Sequence, residues 1–316
     1  MNNQTLSSPL CGIIPPMVTP LLERDSLDIE GMEHLIEHIL GGGVHGLFLL
    51  GTTGEAPGLG YRLRHELIDR ACQQVGDRVP VLVGITDTSF VESVNMAKQA
   101  AEAGASAVVI APPYYFPAGQ AELLEYLQHL VPELPLPVFL YNMPSHTKLV
   151  FEPDTVRQTA EIPGVIGLKD SSANMIYFHR LQELFSDRPD FSLLVGPEEL
   201  LGETLLLGGH GGVSGGANIH PTLYVDLYHA AVKKDLERVA VLHKKIMQIS
   251  SGIYSIGRYG SSFLKGVKCS LSCMGICSDF MAEPFHRFNE PERAQIRQHL
   301  TDLGLLPWSN DPATVP

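Results

Sequence analysis

Eight short apolar runs punctuate the first two-thirds of the chain: GIIPPMVTP from Gly12, GLFLLG from Gly46, VPVLVGI from Val79, AVVIAPP from Ala107, PVFLYNM from Pro137, VIGLKDS from Val165, SLLVGP from Ser192 and GGVSGG from Gly211. They are near-continuously apolar and flanked by Gly or Pro, the pattern of strands buried on both faces. Most successive runs lie about 30 residues apart, enough for one strand, one helix and two loops. Between them the apolar positions fall into helical phase. Asp28 opens a segment with Ile29, Met32, Leu35, Ile36 and Ile39 on one face, stopped by Gly41-Gly42-Gly43, and a second helix is predicted from about Tyr61 to Val75. Eight such units predict an α/β fold, a (β/α)8 TIM barrel over residues 10–220. After the eighth run the strand pattern ends, and 221–306 reads as a C-terminal helical appendage, with flexible tails at 1–9 and 307–316. A doubly wound open sheet shares the alternation, but no GxGxxG follows the first run and no GxxxxGKS/T occurs.

Composition narrows the partners. The 316 residues are 44% hydrophobic and 18% charged, which is ordinary for a globular protein and excludes a disordered or fibrous one. With 22 Lys plus Arg against 35 Asp plus Glu, the net charge of −13 opposes nucleic acid and anionic lipid. MNNQTLSSPL lacks the basic and apolar regions of a signal peptide, and no apolar run has the length of a membrane span, so a cytoplasmic protein is expected. Five cysteines (Cys11, Cys72, Cys269, Cys273, Cys277) at irregular spacing read as thiols.

Chemistry in a barrel belongs at the C-terminal ends of its strands. Four ends are unusual: Gly51-Thr52-Thr53-Gly54-Glu55, Pro113-Tyr114-Tyr115, Tyr141-Asn142-Met143-Pro144 and Lys169-Asp170-Ser171. Lys169 closes an apolar strand, where desolvation favours a free amine able to attack carbonyls. Position alone leaves open a strand-edge lysine that reaches solvent or pairs with Asp170. The Gly51–Gly54 turn can aim backbone N–H groups and two hydroxyls at a carboxylate, and the Tyr141 phenol can carry protons beside the amine.

This ordered set, together with Gly208-Gly209-His210-Gly211-Gly212-Val213-Ser214, resembles the dihydrodipicolinate synthase and N-acetylneuraminate lyase family over roughly 12–305. The resemblance implies a metal-free class I lyase or aldolase on a (β/α)8 barrel, with no cofactor beyond the Schiff base formed with pyruvate or another 2-keto acid, and an aldehyde as second partner. By motif position Lys169 is the Schiff-base lysine and Tyr141 the proton shuttle. Thr52 and Thr53 hold the keto-acid carboxylate, Thr53 links Tyr141 to a hydrogen-bonded chain, and Gly196 and Val213 line the pocket. Tyr115 completes the chain across a subunit interface, which implies a homotetramer or homodimer.

Two positions depart from the family. His146 stands where the synthases carry an arginine that grips a substrate carboxylate, and Lys148 where glycine is usual, which puts 4-hydroxy-tetrahydrodipicolinate synthase activity in doubt. Glu198 and Glu199 occupy a site whose acids bind sugar hydroxyls in the sialic acid lyases; here they either do likewise or favour a helix N-terminus. The expectation is therefore a hydroxylated 2-keto acid, cleaved or formed, with a 2-keto-3-deoxy sugar acid dehydratase as an alternative. More remote are a non-catalytic small-molecule binder and a zinc enzyme built on His34-Leu35-Ile36-Glu37-His38, an HxxEH match on an outer helix. Cys269, Cys273 and Cys277 are expected on one buried helical stripe, as small hydrophobes.

Overall fold

The computed structural model describes residues 8–306, so most of the proposed tails, 1–7 and 307–316, lie outside the described residues. All eight apolar runs form strands: β1 Gly12–Ile13, β2 Leu47–Leu49, β3 Val81–Gly84, β4 Ala107–Ile110, β5 Val138–Asn142, β6 Val165–Asp170, β7 Ser192–Val195 and β8 Gly211–Gly212. They pair in parallel and in chain order from β2 to β8, and β8 pairs with β1. The chain just past β1 closes the ring against β2: Phe48 N–H donates to the Pro15 carbonyl and Met17 N–H to that of Phe48, both at 2.9 Å. The expected barrel is therefore present. An antiparallel hairpin, Leu21–Glu23 with Ser26–Leu27, follows β1 and was not anticipated.

Period-two alternation sorts the strand residues into two cores. Ile14, Phe48, Leu82, Val109, Phe139, Tyr141, Leu194 and Val213 pack inside the ring, while the neighbours Val138 and Leu140 join the larger core under the helices. The register places Phe139 opposite Gly167 and Tyr141 opposite Lys169. A Cβ on Gly167 would lie 2.5 Å from the Phe139 ring, so glycine there makes room for the aromatic. That same inward face, two residues on, carries Tyr141 and Lys169 at the barrel mouth.

The outer helices are α1 Ile29–Gly41, α2 Tyr61–Val75, α3 Phe90–Glu102, α4 Gln120–Leu130, α5 Pro153–Thr159, α6 Met175–Leu184, α7 Leu201–Leu206 and α8 Pro221–Val232. Asp28 caps α1, its Oδ1 accepting from Gly31 N–H at 3.0 Å. Three further helices follow: α9 Leu236–Ile253, α10 Ser262–Cys273 and α11 Glu290–Asp302. Helix α8 packs on α9 and also on α1 and β1, with Pro221 against Gly42, so it joins the barrel to the helices that follow. The cysteine stripe is corrected: α10 ends at Cys273, and Cys277 lies in the loop beyond it, beside Gly31. No helix among the described residues is long and apolar enough to cross a membrane.

Candidate active site

Lys169 is 6% exposed at the end of β6. Its Nζ lies 4.1 Å from the centre of the Tyr141 ring and 5.2 Å from that of Phe48, both faces attractive to a cation. Asp170 points to the opposite face of the strand. Its Oδ1 accepts from Asn142 Nδ2 at 2.8 Å and its Oδ2 from the Ser172 hydroxyl at 2.8 Å, so it is not the partner of Lys169. Burial raises the Asp170 pKa, and these bonds oppose the shift. Asn142 is held in turn by Phe151 N–H, which fixes the ends of β5 and β6 together. The only other lysine buried this deeply among the described residues, Lys268, is committed to three acceptors. Lys169 is thus the deeply buried amine left without an ion pair among the described residues.

The turn after β2 supplies the second component. Leu50 and Glu55, both at φ 56°, bracket Gly51-Thr52-Thr53-Gly54. Its own bonds run from Gly54 N–H to Gly51 O and from Glu55 N–H to Thr52 O, and they leave the Thr52 and Thr53 N–H groups out of the turn's closure. The side chain of Phe48 floors the turn: a Cβ on Gly51 would lie 2.7 Å from its ring. The Thr52 hydroxyl is 3.2 Å from the Tyr141 hydroxyl, while Thr53 is buried. This corrects the expected relay, since the tyrosine meets the first threonine of the pair rather than the second. The difference is one of side-chain direction, which the motif does not contain.

Gly196 and Val213 directly follow β7 and β8. Gly196 N–H donates to Asp170 O at 2.7 Å and Val213 N–H to Val195 O at 2.8 Å. Tyr115 stands apart, 75% exposed beside Phe116, and does not reach Tyr141 within one chain. His146 is exposed on the one-turn helix Pro144–Thr147 after β5, with Nδ1 2.9 Å from the Ser145 hydroxyl. Partial burial, then the Lys148 charge, lowers its pKa, so it is neutral at neutral pH. Lys148, at φ 61°, turns its ammonium onto Ser145 O at 2.6 Å.

Glu198 and Glu199 stand in the first turn of the helical segment that leads into α7, as the helix N-terminus reading expects. Glu198 is buried, with Oε1 accepting from the Tyr224 and Tyr254 hydroxyls at 2.5 and 2.8 Å and Oε2 from Gly216 N–H at 2.8 Å. Glu199 accepts from the Ser250 hydroxyl on α9. Glu198 therefore faces the protein interior with donors on both oxygens, while Glu199 is half-buried with Ser250 on one oxygen. Burial pushes the Glu198 carboxyl from an ordinary 4.5 up to about 7, although its hydrogen bonds favour the anion. A raised carboxylate stabilises the fold fully below 4.5 and loses that contribution as pH rises to about 7. Glu198→Gln is expected to remove this component, at most about 3 kcal/mol. In thermal denaturation from pH 5 to 8, wild type should lose stability relative to the variant; a pH-independent difference would contradict the assignment.

The HxxEH residues are otherwise engaged. Glu37 binds Arg78 and Gln74, which hold its pKa near 2, and His38 Nε2 is 3.1 Å from Ile219 O. Among the described residues no group of three or more His, Cys, Asp or Glu has metal-binding geometry. Sequence reasoning missed Lys268 and the Tyr224–Tyr254 pair. Lys268 did leave a trace: with Leu264, Val267 and Leu271 it occupies the apolar stripe of α10, where an unpaired charge is out of place.

The family model described as the dihydrodipicolinate synthetase family matches residues 9–303. The chain is 33% identical to a probable 2-dehydro-3-deoxy-D-pentonate aldolase, YjhH, of Escherichia coli K12, over 94% of this chain and 98% of that one. A structure of dihydrodipicolinate synthase from Bacteroides thetaiotaomicron matches with TM-score 0.92 and 59% identity, covering 94% of this chain and 99% of the other. YagE from E. coli K12, a prophage protein of the dihydrodipicolinic acid synthase family solved in complex with pyruvate, matches with TM-score 0.88 and 32% identity, covering 94% and 99%.

Proposed function

The chain belongs to the dihydrodipicolinate synthetase family of aldolases and lyases, and from that premise we propose that it cleaves or forms the C3–C4 bond of a hydroxylated 2-keto acid through a Schiff base on Lys169. The observation that carries this reading is the buried, unpaired Lys169 amine facing Tyr141, whose hydroxyl meets Thr52. The amine attacks the C2 carbonyl, and loss of water from the carbinolamine gives an iminium. Tyr141 takes the proton from the C4 hydroxyl, the C3–C4 electron pair moves towards the iminium nitrogen, and an aldehyde departs from an enamine. Protonation at C3 and hydrolysis return pyruvate and the free lysine. The N–H groups of Thr52 and Thr53 receive the keto-acid carboxylate, and no metal or further cofactor enters the scheme.

The substrate side rests on His146. A neutral imidazole lacks the two-pronged donor that arginine offers a carboxylate, so a polyhydroxylated aldehyde portion suits this mouth better than an acidic one. The relative YjhH is named as a probable aldolase of such a sugar acid, 2-dehydro-3-deoxy-D-pentonate. A second reading, 4-hydroxy-tetrahydrodipicolinate synthase, is favoured by the 59% identity to the Bacteroides protein. The exposed Tyr115 and Phe116 are in keeping with a homodimer or homotetramer that brings Tyr115 to the partner's site.

Incubation with pyruvate and borohydride, followed by mass spectrometry and peptide mapping, is expected to find one pyruvyl adduct, on Lys169. No adduct on a folded protein would refute the mechanism. Turnover with 2-keto-3-deoxy sugar acids exceeding that with pyruvate plus aspartate semialdehyde supports the first reading, and the reverse order supports the second.

A further inference from the structure

We propose that the buried Lys268–Glu55 pair is a positioning device through which the C-terminal appendage sets the carboxylate-binding turn of the active site. This inference rests on the Lys169 reading above. Glu55 is the residue after the Thr52-Thr53-Gly54 turn and ends it in the left-handed region, at φ 56°. Its N–H closes the turn onto Thr52 O at 3.1 Å. Its Oε1 meets Lys268 Nζ at 2.5 Å, across 213 residues of sequence, and its Oε2 accepts from Ala282 N–H at 2.8 Å. Lys268 Nζ also donates to Thr19 O at 2.9 Å and Phe280 O at 2.5 Å, so its three N–H donors are all used. The Thr19 hydroxyl donates to Gly54 O at 2.7 Å. Three distant segments, the chain after β1, helix α10 and the loop at 280–282, thus converge on the last two residues of one turn.

An ion pair with side chains 0% and 3% exposed costs desolvation, and apolar residues of similar volume often give equal or greater stability. What the charged pair supplies that an apolar pair does not is direction. It fixes the Glu55 carboxylate, and with it the left-handed residue that closes the turn carrying Thr52, whose hydroxyl meets Tyr141. Lys268 and Glu55 do not touch the reacting atoms. Their effect is on where the Thr52 and Thr53 donors stand, and a displacement of about 1 Å in such donors is enough to change rates or binding by large factors.

The full-length protein with Lys268→Met, with Glu55→Gln, and with Glu55→Leu and Lys268→Met together is to be titrated with pyruvate. The readouts are the borohydride-trapped adduct on Lys169, the thermal midpoint, and kcat and KM for cleavage. Lys268→Met and the double variant are expected to raise half-saturating pyruvate about tenfold or more, with full adduct still reached at saturation, because Lys169 and Tyr141 stand on β5 and β6. Glu55→Gln, which keeps an acceptor for Ala282 N–H, should lie between these and wild type. Should Lys268→Met alone fail to fold, the double variant, which leaves no buried charge unpaired, carries the test. An unchanged half-saturation in a folded double variant overturns the positioning role while leaving Lys169 in place. Absence of any adduct in wild type overturns the Lys169 reading, and this inference with it.

Discussion

Lys169→Ala is expected to abolish the trapped pyruvate adduct and to lower turnover on the order of 10⁴-fold or more, to background. Among the described residues no other deeply buried amine is left without an ion pair. Lys268, the second deeply buried lysine, is locked to Glu55 and two backbone carbonyls, and it belongs to the far side of the Thr52–Glu55 turn. The fold should survive, because the variant removes a buried ammonium that no ion pair compensates and leaves the inward-facing layer of Phe48, Phe139 and Leu194 in place. Intact-mass measurement after borohydride, with a thermal midpoint near that of wild type, checks both halves. A variant retaining turnover within about tenfold of wild type would remove Lys169 from the mechanism.

Tyr141→Phe should reduce kcat by about 10²- to 10⁴-fold, the usual worth of a positioned acid or base. The ring stays against Lys169, so pyruvate should still be trapped, more slowly, and its half-saturating concentration should change little. The variant also strips the Thr52 hydroxyl of its 3.2 Å partner. Thr52→Val then separates the two roles: a shuttle that depends on this contact shows a similar fall in kcat, whereas a threonine serving only the carboxylate raises KM. Unaltered kcat in Tyr141→Phe would assign the proton transfers to another group.

The elements that were legible in the sequence are those whose signal is local. Helix α2 runs over Tyr61–Val75 and α1 follows the Asp28 cap, both as the apolar phase predicts, since each helix buries one face whose positions recur within its own sequence. The βα spacing foretold all eight strands. The contact of α8 with α1 and β1, from the opposite end of the chain, has no local mark in the sequence. Cys277 departs from the expected stripe because Gly275, at φ 72°, ends the helical run that the Cys-x₃-Cys-x₃-Cys spacing implies.

In the site the same division holds. Lys169 and Tyr141 stand out in the sequence because each closes an apolar run, and the strand register sets them opposite each other. The sequence alone therefore determined the barrel, the identity of the amine and phenol at its mouth, and the family resemblance built on them. Which threonine touches Tyr141, that Asp170 turns to Asn142 and Ser172, that Glu198 closes on Tyr224 and Tyr254, and that one buried lysine is paired and the other is not were decided only by the tertiary structure. Each of these depends on the direction of a side chain across a contact between separate segments, up to 213 residues apart for Lys268 and Glu55. Local spacing constrains which residues face the barrel mouth; the hydrogen-bond and charge partners they find there exist only once the ring has closed and the C-terminal helices have packed against it.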